Sequence, residues 1–246
     1  MRMMIFNGSP KGKNGNNHIL DSAFADGARD AGAEVETVFL SGSDIRPCKG
    51  CHSCWFGNPG ECVQDDDMAE LMPRIIDSDV IVFSSPLFVD NVSGLMKNFM
   101  DRLIPLGDPH MERDEEGECR HVKRYDKPSR IVVISNCGFP EQSHFQVLRL
   151  LFRRVARNLH CEVAAEIYRG AGVLLRSRDP QIKPAVDDYL VLVREAGREI
   201  VDKGRLTKKT TTKLDKPLMS MKNYVDVYIT TMNRYCDDRT AEKDPA

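Results

Sequence analysis

The stretch MMIFNGSPKGKNGNN, residues 3–17, joins a short apolar run to a polar, glycine-rich turn and decides how the chain begins to fold. Residues 3–6 predict a buried β-strand, and the Asn-Gly-Ser-Pro sequence at 7–10 ends it in a loop. From 17 to 31 the apolar residues recur at helical spacing, and the alternating segment 34–40 predicts a second strand. The chain therefore opens with a βαβ unit.

The same alternation continues beyond this unit. Further strands are predicted at 79–83, 130–134 and 162–168, and further helices at 68–76, from about Leu95 to Ile104, at 146–159 and at 184–201. Strictly alternating βα units predict an α/β fold, a doubly wound five-stranded parallel sheet with helices on both faces. We expect one domain over 1–204, interrupted by a charged, turn-rich insertion at about 107–127.

A C-terminal extension, residues 205–246, follows this domain. It is basic at first and then amphipathic around Tyr224, Val227, Tyr228 and Met232. Such a segment either packs on its own domain or reaches a neighbouring subunit, and the sequence does not favour one over the other.

The composition narrows the class of protein. The 246 residues are 41% hydrophobic. Their net charge is −2 and both signs are interspersed along the chain, so no positive electrostatic field is expected that would attract nucleic acid or anionic lipid. The apolar runs are too short for a membrane span, and the N-terminus lacks the apolar core of a signal peptide. We expect a cytoplasmic protein that binds neither membrane nor nucleic acid.

Four of the eight cysteines are clustered in the cysteine segment, residues 45–65. Cys48, Cys51 and Cys54 are three residues apart, and Cys62 follows a Gly-Asn-Pro-Gly turn that brings the chain back. Four thiolates so arranged suit a 4Fe-4S cluster or a zinc ion, and the triple Cys-x-x-Cys run is closer to the ferredoxin pattern. Four reduced, unliganded thiols are the alternative.

Four predicted strands end in unusual loops, at 7–16, 41–65, 84–91 and 135–141. Because parallel strands share one carboxyl edge, where ligands bind near the reversal of strand order, we expect the cysteine segment to lie beside the other three loops. The loop at 8–17 joins a strand to a helix and suits a phosphate. It is neither a P-loop nor the spaced-glycine dinucleotide motif, and taken alone it is also compatible with an ordinary turn.

Two of these loops resemble a known family. GSPKGKNGNN (8–17) and SPLFVDNVSGLMK (85–97) resemble the flavin-binding segments of the NAD(P)H-dependent FMN reductase family, which has a flavodoxin-like fold. PCKGCHSC (47–54) with Cys62 resembles the iron–sulfur flavoprotein branch, whose compact cysteine motif binds a 4Fe-4S cluster. The likeness covers residues 1–105 well and 130–200 loosely, and it excludes the insertion and the extension.

The resemblance implies an FMN-dependent oxidoreductase that uses NAD(P)H, forms a homodimer or homotetramer, and exchanges electrons with a redox protein. It implies that the FMN phosphate is contacted by Ser9, Lys11, Asn16 and Asn17. The flavin ring and ribityl chain would be contacted by Pro86, Leu87, Phe88, Val89, Asp90 and Asn91, and the other side of the ring by Asn136, Gly138 and Phe139. The cluster would be ligated by Cys48, Cys51, Cys54 and Cys62. Lys11 replaces the family's usual Arg, and Asn17 stands where Thr or Ser is expected. No side chain is assigned as a catalytic acid or base, because the cofactor carries the chemistry.

Two alternatives remain open at this point. One is a cluster-free NAD(P)H:flavin or quinone reductase whose cysteines are structural or hold zinc. The other is a non-catalytic electron carrier or redox-sensing module.

Overall fold

The structure, a computed structural model, describes residues 1–241, apart from the side chains of Met221, Val227, Thr231, Met232, Tyr235 and residues 238–241. The elements in chain order are β1 (Arg2–Asn7), α1 (Asn16–Asp30), β2 (Glu34–Phe39), α2 (Ser53–Phe56), α3 (Met68–Asp77), β3 (Val80–Pro86), α4 (Gly94–Asp101), β4 (Gly107–Arg113), β5 (Cys119–Lys123), β6 (Arg130–Asn136), α5 (Gln146–Asn158), β7 (Glu162–Arg169), α6 (Lys183–Lys203), α7 (Lys208–Leu214) and α8 (Met221–Ala241). Short 3-10 turns join several of them.

Five parallel strands form the central sheet in the order β2-β1-β3-β6-β7. The five strands predicted from the sequence are these five, and the predicted doubly wound sheet is confirmed. Strand order reverses between β1 and β3, which is the switch point at which flavodoxin-like sheets bind ligands.

Helices cover both faces of the sheet because the strands are apolar on both faces. Ile5 and Val82 pack beneath α1 and α6, in a core that includes Phe24. On the opposite face Phe6 stacks on Phe99 of α4 at 4.1 Å between ring centroids, in a core shared with α3 and α5. The sequence predicts a helix that reaches Ile104, but α4 ends at Asp101. Ile104 lies in a 3-10 turn directly before Pro105, and a residue before proline disfavours the α-helical conformation.

The insertion at 107–127 forms an antiparallel hairpin, β4 and β5. It is held against the domain by an ion pair between Asp114 and Arg157 of α5 at 2.6 Å, and His160 contacts the His121 carbonyl oxygen at 2.7 Å. Its charged residues therefore serve to attach it to the neighbouring helix.

The C-terminal extension packs on its own domain near the end of β7. The Arg169 guanidinium, buried at the end of that strand, donates to the Lys216 carbonyl at 2.9 Å, and the Tyr224 hydroxyl donates to the Gly138 carbonyl at 2.8 Å. The predicted apolar positions Val227 and Met232 lie outside the described side chains. Residues 242–246 lie outside the described chain.

Among the helices of residues 1–241, none combines the length and apolarity needed to cross a membrane.

Candidate flavin site and cysteine cavity

Three of the four predicted loops meet at the carboxyl edge of the sheet: the β1 loop (8–15), the β3 loop (87–93) and the β6 loop (137–145). The Gly8 amide donates to the Ser84 carbonyl at 2.7 Å, and the Ser93 hydroxyl donates to the Gly8 carbonyl at 2.6 Å. The Leu87 amide donates to the Asn136 carbonyl at 3.0 Å. These bonds join the three loops at the β1/β3 switch point.

A buried polar network lies directly beneath these loops. The Asn17 side-chain amide donates to the Ser84 hydroxyl at 3.0 Å. The Asn136 side-chain amide donates to the side-chain oxygen of Asn17 at 2.7 Å. Both asparagine side chains therefore point into the domain and join α1 to β3 and β6. Asn7 and Asp21, which the sequence did not single out, complete the network with a 2.6 Å hydrogen bond. Only the topology could have revealed them, because both look like ordinary positions of a strand end and a helix.

The β1 loop leads into α1 with its first turn uncapped. The N-cap residue, Gly15, offers no side-chain hydrogen bond, so amide groups at the start of α1 are available to an anion. The Ser9 hydroxyl accepts from the Lys11 amide at 3.3 Å, and a Cβ at position 15 would lie 2.4 Å from that hydroxyl. A side chain at this position would therefore displace the Ser9 hydroxyl. The Lys11 side chain is exposed.

Arg176, in the turn after β7, is a cation beside the β1 loop that the sequence analysis missed. It donates to the Asn16 side-chain oxygen at 2.8 Å and to the carbonyls of Asn14 and Gly15. Burial lowers the pKa of His18, and the charges of Lys13 and Arg176 lower it further. The loop therefore lies in a positive field, which favours a phosphate group.

The β3 loop presents an apolar edge on a tight turn. The amides of Phe88 and Asn91 donate to each other's carbonyls at 2.8 and 3.0 Å, with Val89 and Asp90 both at positive φ. Positive φ is unusual for a β-branched residue, and Val89 is 98% exposed. Phe88 is also exposed, whereas Pro86 and Leu87 are half-buried.

The β6 loop offers a second exposed aromatic ring. Phe139 is exposed and stacks on His144 at 4.4 Å between ring centroids. Asn136 is buried, and Gly138 is half-buried beneath the Tyr224 hydroxyl. The two loops together supply apolar groups and backbone amides of the kind that line cofactor sites.

The cysteine segment is anchored to the C-terminal end of α4. The Arg102 guanidinium, just after the helix, forms two bonds with the Asp66 carboxylate at 2.5 and 2.9 Å and donates to the Arg46 carbonyl at 2.7 Å. Burial raises the pKa of Asp66, but the bonds from Arg102 and two backbone amides outweigh it and hold the pKa below its usual value. Trp55 donates to the Ile104 carbonyl at 3.3 Å and packs on His121 of the hairpin.

The four clustered cysteines line one small cavity, together with Gln64 and Ile104. The Gly50 amide donates to the Cys48 sulfur and the Arg102 guanidinium to the Cys62 sulfur, each at 3.4 Å. Such bonds stabilise thiolates and are among the features that tune iron–sulfur clusters. Within residues 1–241, no group of three His, Cys, Asp or Glu side chains is arranged to hold a single metal ion.

The electrostatics of the thiols differ within this cavity. Hydrogen bonds from Ser53 lower the pKa of Cys51. Burial raises the pKa of Cys54, and the neighbouring Cys62, Cys48 and Cys51 thiols raise it further. The other three thiols of the cavity therefore disfavour ionisation of Cys54. Four thiols lining one cavity, two of them accepting N–H bonds, fit the donor set of a 4Fe-4S cluster.

The prediction that these cysteines lie beside the other three loops is wrong. Ser93 at the start of α4 contacts the β1 loop, whereas Arg102 just beyond its end contacts Cys62. An eight-residue helix is about 12 Å long, so the thiols and the β1 loop lie at opposite ends of α4. Only the start of the long connection stays at the carboxyl edge, where Ser41 lies against Gly12.

Part of the chain is similar in sequence to known flavoproteins. Residues 1–120 match the NADPH-dependent FMN reductase family. An iron–sulfur flavoprotein of Archaeoglobus fulgidus is 35% identical over 135 residues, which are 55% of this chain and 55% of that protein. An iron–sulfur flavoprotein of Methanosarcina thermophila is 32% identical over 106 residues, 43% of this chain and 54% of that protein. The chain thus spans about half the length of the curated relatives it matches.

Solved structures share the fold at low sequence identity. An NAD(P)H:quinone oxidoreductase from Methanothermobacter marburgensis has a TM-score of 0.60 at 17% identity, covering 81% of this chain and 96% of that chain. An FMN-dependent NADH-azoreductase from Bacillus anthracis, solved in complex with FMN, also has a TM-score of 0.60, at 16% identity over 82% of this chain and 99% of that chain. Residues 1–120, which carry the β1 loop, the β3 loop and the clustered cysteines, match the NADPH-dependent FMN reductase family in sequence, and the resemblance expected from the sequence is confirmed.

Proposed function

We propose that this chain is an FMN-binding oxidoreductase that takes electrons from NAD(P)H. The observation that carries the proposal is the convergence of three loops on the β1/β3 switch point, around the uncapped start of α1. The family match of residues 1–120 supports the same cofactor.

The FMN phosphate would be held by the start of α1, with Ser9, Lys11 and Asn16 on the loop and Arg176 across from it. Asn17 contributes from beneath, because its side chain is bonded to Ser84 and Asn136. The start of the helix and nearby cations favour a dianion without a single dedicated counter-ion.

The flavin ring and ribityl chain would be flanked by residues 86–91 and by Asn136, Gly138 and Phe139. Bound FMN supplies hydride acceptance and one-electron transfer. The chain's own part is to orient the ring between an exposed apolar edge and loop backbone amides, and to keep water from it with Phe88, Val89 and Phe139.

We propose further that Cys48, Cys51, Cys54 and Cys62 hold a 4Fe-4S cluster. The shared cavity and the N–H bonds to two of the sulfurs support this assignment, as do relatives named iron–sulfur flavoproteins. A zinc ion in the same cavity is the alternative. Anaerobic purification followed by metal and acid-labile sulfide analysis distinguishes them, since iron with sulfide supports the cluster and zinc contradicts it.

The experiment that tests the function is an FMN titration followed by turnover. Added FMN should bind to one site per chain, and the loaded protein should oxidise NADH or NADPH steadily with a flavin, quinone or oxygen acceptor. Bound FMN without turnover would instead indicate an electron carrier or redox sensor, and absence of FMN binding would contradict the proposal.

We also propose that the protein acts in the cytoplasm as a homodimer or homotetramer and exchanges electrons with a redox protein. The support is the family likeness of residues 1–120. Light scattering of the purified protein measures the assembly directly, and a monomer would contradict it.

A further inference from the structure

Asp21, in the second turn of α1, is a buried carboxyl group that the proposed function does not use. Only 1% of the residue is exposed. Its Oδ2 accepts a 2.6 Å hydrogen bond from the Asn7 side-chain amide. Its Oδ1 has no partner at hydrogen-bonding geometry, although the Ser84 hydroxyl is close enough to act on the carboxyl group. A buried oxygen without a donor is costly when the carboxyl group is charged.

Asp21 is connected to the loops of the candidate flavin site on both sides. Through Asn7 it reaches the β1 loop, because the Asn7 side-chain oxygen, Oδ1, accepts from the Ser9 backbone amide at 2.9 Å. Ser84, its other neighbour, accepts from Asn17, which in turn accepts from Asn136 at the end of β6. A change at this carboxyl group therefore acts directly on the groups that fix both loops.

The environment favours the neutral acid. Burial raises the pKa of Asp21 to about 7, although the bonds from Ser84 and Asn7 act in the opposite direction. The charged or titratable groups on the surrounding elements include His18 on α1, Lys13 on the β1 loop, Arg176 after β7, and Lys183, Asp187 and Tyr189 on α6. Lys183 and Asp187 pair with each other, and Tyr189 lies under Arg169, so burial is the dominant influence.

The proton completes the network. A protonated Oδ1 is a donor, and the Ser84 hydroxyl oxygen is the acceptor beside it. With that bond formed, both carboxyl oxygens of Asp21 have partners and Asn7 is fixed in the orientation that holds the Ser9 amide. After ionisation the Ser84 hydroxyl can donate to Oδ1 instead, so the main change is a negative charge beneath the loop that would receive a phosphate.

We propose that Asp21 positions the β1 loop as a neutral acid, and that loss of its proton weakens the binding of FMN. This inference rests on the proposed function, since it assigns a phosphate to the β1 loop. The ionised carboxylate places a negative charge in a buried, poorly screened position beneath the loop that would hold the phosphate dianion, and the two negative charges repel each other.

The sign of the pH dependence follows from the proton balance. The FMN complex retains a proton that the free protein loses above about pH 7, so binding takes up a proton in that range. Affinity should therefore fall as pH rises above 7, by up to about tenfold per pH unit for one linked proton.

The test is the FMN dissociation constant measured from pH 5.5 to 8.5 by quenching of flavin fluorescence. The wild-type protein is compared with Asp21→Asn, whose side chain stays neutral and can donate to Ser84 while accepting from Asn7. The matched control is Asp26→Asn, which removes an exposed carboxylate from the same helix. The FMN phosphate titrates equally with all three proteins, so differences between the pH profiles belong to the protein.

We expect the wild type and Asp26→Asn to lose affinity together above pH 7, while Asp21→Asn keeps its affinity. Identical profiles for all three, with FMN bound, would overturn the role of Asp21 and leave the proposed function intact. Failure of the wild type to bind FMN at any pH would overturn the proposed function as well.

A calorimetric measurement needs no variant at all. Titrating the wild-type protein with FMN at pH 7.5 in two buffers of different ionisation enthalpy gives the number of protons exchanged. A carboxyl group with a pKa of about 7 is about three-quarters ionised at pH 7.5, so net uptake of about three-quarters of a proton per FMN is the expected result. Binding without proton uptake would contradict the proposal even if Asp21→Asn fails to fold.

Discussion

Arg102 and Asp66 form the ion pair that fixes the cysteine segment, and their side chains are only 1% and 0% exposed. Arg102→Leu leaves a buried carboxylate without its partner, so we expect the free energy of unfolding to fall by about 3–5 kcal/mol. Urea unfolding of the apoprotein measures this change. The matched control is Lys97→Leu, which breaks an exposed pair on the neighbouring helix α4 and should cost less than about 1 kcal/mol. Equal losses for the two variants would show that the buried pair has no special role.

The clustered cysteines give a second prediction for single residues. Cys54 is the buried member of the set that lines the cavity, so Cys54→Ser should sharply reduce the iron bound after anaerobic purification, from about four atoms per chain. Cys119→Ser is the control, because that thiol is exposed on the hairpin and lies outside the cavity lining. Iron analysis and the visible absorption spectrum measure the result. Iron content unaffected by Cys54→Ser would contradict the assigned ligands.

At the scale of single residues, the sequence predicts which chemical groups a site contains better than it predicts which residues contact each other in the fold. The thiols and the polar loop residues are visible as motifs, but the partner of Asp66 is not. That carboxylate looks like the acidic first turn of α3, whereas its main contact is Arg102, 36 residues away along the chain. Arg176 is missed for the same reason, since it reaches the β1 loop from 160 residues beyond Asn16.

Among the loops of the candidate flavin site, the β1 loop offers a test by a small change. Gly15 has an ordinary φ of −83°, so alanine is tolerated by the backbone, but its Cβ would lie 2.4 Å from the Ser9 hydroxyl. We expect Gly15→Ala to move Ser9 and to weaken FMN binding about tenfold, a cost within the range of forced repacking at a tight contact. Flavin fluorescence quenching measures the dissociation constant.

Gly42→Ala provides the comparison for this variant, because a Cβ at position 42 meets no atom within 4 Å. Its FMN affinity should equal that of the wild type. If Gly15→Ala binds FMN as tightly as Gly42→Ala, the β1 loop does not shape the phosphate site.

The elements of the sheet could be predicted from periodicity, and those outside it could not. Apolar runs such as 79–83 have few alternatives to a buried strand, so all five parallel strands are found. The hairpin β4–β5 has half-buried and exposed residues with no clean alternation, and it depends on ion pairs with α5 for its attachment. Such long-range attachment leaves no local pattern in the sequence.

For the molecule as a whole, α4 separates two candidate redox sites. Its first turn supports the loops of the flavin site, and its last turn adjoins the cysteine cavity. The sequence-based prediction fails for a clear physical reason: the connection after β2 begins at the carboxyl edge near Ser41, but its cysteine segment contacts the C-terminal half of α4. A parallel sheet fixes only where a connection starts, and the course of a long connection depends on its side-chain contacts.

The C-terminal extension gives a prediction on the same scale. Truncation after Leu218 removes α8 and with it the Tyr224 contact to Gly138, while α7 keeps its buried Leu214. Because α8 packs on the β6 loop of its own chain, we expect FMN affinity to fall about tenfold and the oligomeric mass per chain to stay unchanged. Light scattering and FMN titration measure both quantities. A change of assembly with unchanged FMN affinity would identify α8 as an arm between subunits instead.

The most direct test of two redox sites in one chain is the absorption spectrum of the anaerobically purified protein, recorded with flavin and iron counts. The account predicts flavin bands with one FMN per chain, a broad cluster absorption, and about four iron atoms per chain. A colourless, metal-free protein that does not take up added FMN would contradict it.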